Sequence, residues 1–187
     1  MEDIRPWEVI KSEYYLERPW LTARRDTVKL PDGGINDEYW VLEYPAWINV
    51  IASTPEGRYI MVRQYRHGLG IISTELCAGV AEQGEDPLVA ARRELAEETG
   101  YTGGTWSLNC IVSANPGSQN NLTYCFIAEN VTLSATQHLD DTEDLRVELL
   151  TREELAALLK GGTMRQALML SSLWKYFAER YPDLVKP

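Results

Sequence analysis

Glu94, Glu97 and Glu98 lie close together in a stretch free of proline and glycine. On a helix they are related by i,i+3 and i,i+4 steps, and at about 100° per residue the three carboxylates share one face. Like charges at that spacing repel by a few tenths of a kcal/mol per exposed pair, roughly. A divalent cation reverses the sign. Hard Mg²⁺ prefers carboxylate and water oxygens and completes its shell with substrate phosphate. Such a site polarises a phosphoryl oxygen, activates water and holds a diphosphate for in-line attack. Arg93 stands beside Glu94 and four residues before Glu97, placed to orient carboxylates through bidentate hydrogen bonds. Gly79 permits an unusual backbone angle, so that a carbonyl there can approach a metal.

These residues need a helix to hold them. Asp86-Pro87 starts one, with Asp as N-cap and Pro at the first helical position. Leu88, Ala91, Leu95 and Thr99 repeat at helical spacing and face a core. Gly100 ends the helix. Before it, residues 47–53 and 58–64 read as a strand pair turning at Pro55-Glu56-Gly57, and residues 71–76 as a further strand. After it, residues 105–113, 122–128 and 145–150 return to strand character. Thr151 and Glu154 form a capping box for a helix over 152–160, closed by Gly161-Gly162, and residues 164–180 form a longer amphipathic helix. An aromatic, β-branched segment precedes all of this. In it, residues 20–27 and 39–43 read as strands around the turn signal Pro31-Asp32-Gly33-Gly34. The expected class is α+β, a mixed sheet sandwiched by helices, with a small N-terminal antiparallel β unit over residues 1–44 and the main domain over 45–187.

The bulk numbers narrow the function classes. Lys and Arg number 18 against 28 Asp and Glu, for a net charge of −10, and no basic patch of the kind nucleic-acid binders carry is visible. No apolar run reaches the length a membrane span needs, and residues 1–7 lack the pattern of a secretion signal, so a cytoplasmic location is expected. Cys77, Cys110 and Cys125 make no C-x-x-C pair and read as small apolar residues in a reducing compartment. His67 and His138 have no partner at metal-ligand spacing and read as surface or loop residues.

The whole pattern G-x5-E-x7-R-E-U-x-E-E-x-G-U, with U a bulky apolar residue, runs from Gly79 to Tyr101. Only Tyr101, in place of an aliphatic, departs from it. The segment resembles the box of the Nudix hydrolase superfamily. That resemblance implies an α/β/α sandwich and hydrolysis of a nucleoside diphosphate linked to another group, with Mg²⁺ or Mn²⁺ as cofactor. Carried over position by position, it makes Glu94 and Glu98 metal ligands, Glu97 a third ligand or a base, Gly79 or Ala78 a carbonyl donor, and Glu85 and Arg93 orienting residues.

Outside the box, Val62-Arg63-Gln64-Tyr65-Arg66, Glu75-Leu76-Cys77-Ala78-Gly79 and Pro116 resemble the ADP-ribose pyrophosphatase branch, with Cys77 where that branch usually has proline. This implies a nucleoside diphosphate sugar as substrate and a homodimer joined through the N-terminal unit; charge and hydropathy point to neither nucleic acid nor membrane as partner. Arg66, and with it Arg63, reads either as a phosphate-binding fork or as strand-end surface charge. Trp20, Trp40 and Trp47 read as core or dimer contacts more readily than as base-stacking residues, with Trp20 the candidate for the nucleobase. The cluster Asp140-Asp141-Thr142-Glu143-Asp144 is either a solvated loop or, by the same resemblance, the source of a catalytic base, Glu143 first and Asp141 second. The alternatives are another substrate of the superfamily (GDP-mannose, a dinucleoside polyphosphate or coenzyme A) and a sensor that binds a nucleotide sugar without cleaving it.

Overall fold

The computed structural model describes residues 3–139 and 144–186, so Asp141 and Glu143 lie outside the described residues. The chain forms two compact units, one of residues 1–45 and 113–121, the other of 46–112 and 122–187.

The first unit is an antiparallel sheet of β1 (Glu8–Arg18), β2 (Leu21–Lys29) and β3 (Ile35–Glu43), in that order. The expected turn joins β2 to β3, where Gly33 takes φ 91° and its N–H reaches the Leu30 carbonyl at 2.9 Å. β1 escaped the sequence reading. Ten of its eleven residues are exposed, so it carries no alternation of buried and open positions. Edge-on rings pair Trp7 with Tyr39 and Tyr15 with Trp40. Trp20 is 70% exposed; it is not a core residue.

The second unit holds a six-stranded mixed sheet. Its strands are β4 (Trp47–Ser53), β5 (Tyr59–Arg66), β6 (Ile71–Val80), β7 (Tyr101–Val112), β8 (Thr123–Leu133) and β9 (Leu145–Leu150). The order is β7-β8-β4-β6-β5-β9, with β4 and β8 parallel and the other pairs antiparallel. Helix α1 (Pro87–Thr99) covers one face through Ala90, Ala91 and Leu95, which pack on Ile48, Val50, Ile60 and Cys77. Helices α2 (Arg152–Lys160) and α3 (Ala167–Arg180) cover the other through Leu155, Leu159, Leu173 and Phe177, which pack on Ile51, Met61 and Leu76. A short α4 (Pro182–Val185) follows. The α+β sandwich with a separate small antiparallel sheet is therefore the observed fold.

Two departures from expectation bear on the site. α3 begins at Ala167 rather than Met164, because the Gln166 side chain accepts from the Leu168 N–H at 3.0 Å and sets the first turn there. β6 runs four residues beyond the expected end at Leu76, into the glutamate-rich segment. It pairs with β5 over Ile71–Leu76, then with β4 over Cys77–Val80. β5 has meanwhile returned to β4 at Ile60 and Tyr59. Over residues 78–80 the edge of β6 that faces away from β4 is left without a strand partner.

Candidate active site

The open edge of β6 is where α1 docks. In an antiparallel ladder alternate residues turn their N–H and C=O groups to the same side. The Ala81 N–H donates to the Ala46 carbonyl at 2.9 Å, so Ala81 and Gly79 turn their groups to the β4 side and Ala78 and Val80 present theirs to the open edge. The Ala78 N–H donates to Glu98 Oε2 at 3.1 Å and the Val80 N–H to Glu94 Oε1 at 3.3 Å. Four helical residues rise about 6 Å and two strand residues about 6.6–6.8 Å, so i,i+4 carboxylates match i,i+2 amides. α1 holds its place by local chemistry at both ends. Asp86 caps it through the N–H groups of Leu88 and Val89, and Gly100 closes it in the left-handed region at φ 75°.

Glu98 is only 3% exposed and Glu94 is largely buried, whereas Glu97 is about half open. The acidic face is thus not a uniformly solvated one. Burial pushes the Glu94 carboxyl above its ordinary value, and the neighbouring Arg93 charge opposes that rise. Arg93 is the hub. Its Nε and Nη2 fork onto Glu85 at 3.2 and 3.0 Å, its Nη1 donates to Glu94 and Glu97 at 3.0 Å each, and its Nη2 also reaches the Val80 carbonyl at 3.0 Å. That guanidinium holds Glu85 below the usual carboxylate range.

Gly79 serves this packing in a way the sequence reading did not anticipate. It is not among the positive-φ residues. What it supplies is space, because a Cβ there would lie 2.1 Å from Glu94 Cδ. Among the described residues no group of three or more His, Cys, Asp and Glu side chains is arranged to hold a metal ion. Backbone amides and Arg93 instead engage the glutamates.

Arg66 lies at the end of β5, its Nε and Nη2 on Glu75 Oε2 at 3.0 and 2.7 Å. It lines a cavity together with Ala78 and Gly79. Arg63 is exposed and reaches Glu148 at 3.4 Å, and it does not line that cavity. Trp47 does line it. Sequence reasoning missed two residues of this cavity, Asn49 and Thr123. Each sits in an apolar, strand-like run, and only a buried side-chain oxygen without a hydrogen-bond partner singles it out. Cys77 and Cys125 are buried and Cys110 is partly so, and none of the three is in a disulfide.

Comparison with known proteins accords with this geometry. The NUDIX domain matches residues 44–173, and the nucleoside diphosphate sugar hydrolase N-terminal domain matches residues 7–42. The chain is 34% identical over 143 residues to the ADP-ribose pyrophosphatase of Bacillus subtilis (strain 168), spanning 76% of this chain and 77% of that one. It is 31% identical over 154 residues to the methanol dehydrogenase activator of Bacillus methanolicus, spanning 82% and 83%. A solved structure described as an ADP compounds hydrolase shares the fold at a TM-score of 0.84 over 100% of both chains, with 16% identity. The carboxylate-bearing helix on the β6 edge lies within the matched domain, and the chain belongs to the Nudix hydrolase family.

Proposed function

We propose that the chain hydrolyses the diphosphate of ADP-ribose or a related nucleoside diphosphate sugar to a nucleoside monophosphate and a sugar phosphate. The observation that carries this reading is the docking of α1 on β6, which sets Glu94 and Glu98 on adjacent edge amides beside a cavity. The two matched domains and the name of the Bacillus subtilis relative support the substrate class.

Members of this family generally use divalent metal ions, and the donor set here fits Mg²⁺ or Mn²⁺. It is all oxygen, and Glu94 packs so closely on Gly79 that no Cβ fits between them. Glu94 and Glu98 would hold the ion. A hard cation of this kind needs only one or two carboxylates when substrate phosphate supplies the rest. Of the two backbone oxygens, strand alternation favours Ala78 over Gly79, whose carbonyl turns towards β4. When bound, the cation neutralises diphosphate charge and activates water for attack.

The side chains divide the remaining work. Arg93 positions Glu94 and Glu97 through its fork. Glu97, the more open of the three box glutamates, acts as a further ligand or as proton acceptor. Glu143, or failing it Asp141, is the alternative acceptor. In support, Gln137 Nε2 donates to the Glu98 carbonyl at 2.6 Å and the His138 N–H to the Glu97 carbonyl at 2.9 Å, so the chain leading to that cluster is tied to the last turn of α1. Arg66, steadied by Glu75, binds substrate phosphate, with Arg63 the weaker candidate and Trp20 a stacking surface for the base. A cytoplasmic homodimer without nucleic-acid or membrane partners completes the reading. No helix among the described residues is long and apolar enough to cross a membrane.

A panel of ADP-ribose, ADP-glucose, GDP-mannose, a dinucleoside polyphosphate and coenzyme A, each with Mg²⁺, tests the substrate class by chromatography of the products. A nucleoside diphosphate sugar is expected to be cleaved fastest. Preference for the polyphosphate or coenzyme A would overturn the assignment.

A further inference from the structure

A cavity of about 340 Å³ lies beside the β6 edge, with Ala78 and Gly79 in its wall, Leu168 and Met169 from the start of α3 on another side, and Asn49 and Thr123 within it. Asn49 is 1% exposed and Thr123 2%. Neither Asn49 Oδ1 nor Thr123 Oγ1 has a hydrogen-bond partner among the described residues. Ser73 Oγ and Arg152 Nε of this unit are also bare, but neither residue lines this cavity, and other buried polar groups are paired. Asn109 Nδ2 donates to the Ser172 carbonyl and hydroxyl at 2.9 and 3.0 Å, and the Tyr59 and Tyr176 hydroxyls meet at 2.8 Å. A bare buried acceptor destabilises a fold. Two of them lining one cavity, against the strand that carries the metal-holding edge, have no structural return.

We propose that Asn49 and Thr123 form the polar floor of a sugar subsite, binding hydroxyls of the group on the far side of the diphosphate from the nucleoside. This rests on the function proposed above. The chemistry favours a sugar over the other parts of such a substrate. The two floor residues are neutral and offer nothing to offset phosphate charge; the cation in the same lining is Arg66, assigned to phosphate above. An amide oxygen and a hydroxyl suit sugar hydroxyls, which both donate and accept. The Asn49 amide also lies in hydrogen-bonding reach of the Cys125 thiol, which leaves one acceptor instead of the donor–acceptor pair that reads a purine edge. Leu168 and Met169 give an apolar wall for the C–H face of a ring. The volume is at the small end of the range for ligand sites, roughly 300–1,000 Å³.

The test uses Thr123→Val and Asn49→Leu, which remove the bare atoms at nearly constant shape, and Thr123→Ser, which keeps the hydroxyl. kcat/KM is measured for ADP-ribose and ADP-glucose against an ADP hexyl ester, which keeps the diphosphate but lacks the sugar. The ratio of sugar to hexyl substrate is expected to fall about ten-fold in Thr123→Val and in Asn49→Leu and to stay near wild type in Thr123→Ser. The melting temperature should hold or rise, since an unpaired polar atom has been removed. Equal losses on both substrates, an unchanged ratio, or a lowered melting temperature with equal losses would overturn the subsite. If Asn49→Leu does not fold, the Thr123 pair decides. Wild-type protein that cleaves no nucleotide sugar would sink the underlying function and the subsite with it; cleavage with unchanged ratios would sink the subsite alone.

Discussion

The β6 edge and the cavity beside it treat buried polar atoms in opposite ways. Along the edge, Glu94 and Glu98 each meet a backbone N–H, and Arg93 ties Glu85, Glu94 and Glu97 together. In the cavity, Asn49 Oδ1 and Thr123 Oγ1 meet no hydrogen-bond partner among the described residues. The edge contains charged groups, and leaving a carboxylate bare there would cost several kcal/mol or force it to protonate, roughly. The protein satisfies those groups by itself and so keeps a pre-arranged shell. The bare atoms of the cavity, Asn49 Oδ1 and Thr123 Oγ1, are neutral, and their exposure to an empty space costs far less. A protein can leave such groups waiting for a ligand and remain folded. The comparison separates residues that hold the site's shape from residues that read what enters it.

Gly79→Ala should break the edge while sparing the fold. The added Cβ collides with the far end of the Glu94 side chain, which swings away cheaply but takes its carboxylate with it. A fall of about 10–100-fold in metal affinity is expected, read by calorimetric titration with Mg²⁺, alongside a melting temperature close to wild type. A variant that binds metal normally would show that Glu94 need not sit against residue 79. Arg93→Lys keeps the charge and removes the fork. We expect a loss in kcat/KM of about ten-fold or somewhat more, read in steady-state assays; full activity would mean that charge alone orients the glutamates.

The smallest effect lies on the opposite face of the sheet. Burial raises the Tyr59 hydroxyl to about 12 and moves Tyr176 upward as well. A folded-state pKa above the unfolded value of about 10 stabilises the protein fully below pH 10, and that stability is lost as pH rises from 10 towards 12. The amount at stake for Tyr59 is on the order of 3 kcal/mol at most. Melting curves between pH 8 and 12 should show the decline, shallower in Tyr176→Phe. A flat profile would mean that these hydroxyls are not sequestered as the packing implies.

Features fixed by local chemistry were legible in the sequence. Asp86, Pro87 and Gly100 bound α1 as expected, and the Thr151–Glu154 capping box starts α2. The spacing of Glu94 and Glu98 was legible too, but what they touch was not. Their amide partners exist because β6 exchanges one neighbouring strand for another, a long-range pairing that no window of residues reveals. The extension of β6 to Val80 and the packing role of Gly79 were missed for the same reason. β1 was missed because a strand exposed nearly throughout has no buried period. Asn49 and Thr123 were hidden in apolar runs, where a buried polar side chain looks like one that some neighbour will satisfy.

The most direct measurement incubates the purified protein with ADP-ribose, with Mg²⁺ and with chelator, and quantifies AMP and ribose 5-phosphate for wild type and Glu98→Gln at matched melting temperature. The account predicts equal amounts of the two products from wild type, none with chelator, and a rate lower by at least about 10²-fold in Glu98→Gln. Tight binding of ADP-ribose without product under saturating Mg²⁺ or Mn²⁺, or near-normal turnover by Glu98→Gln, would contradict it.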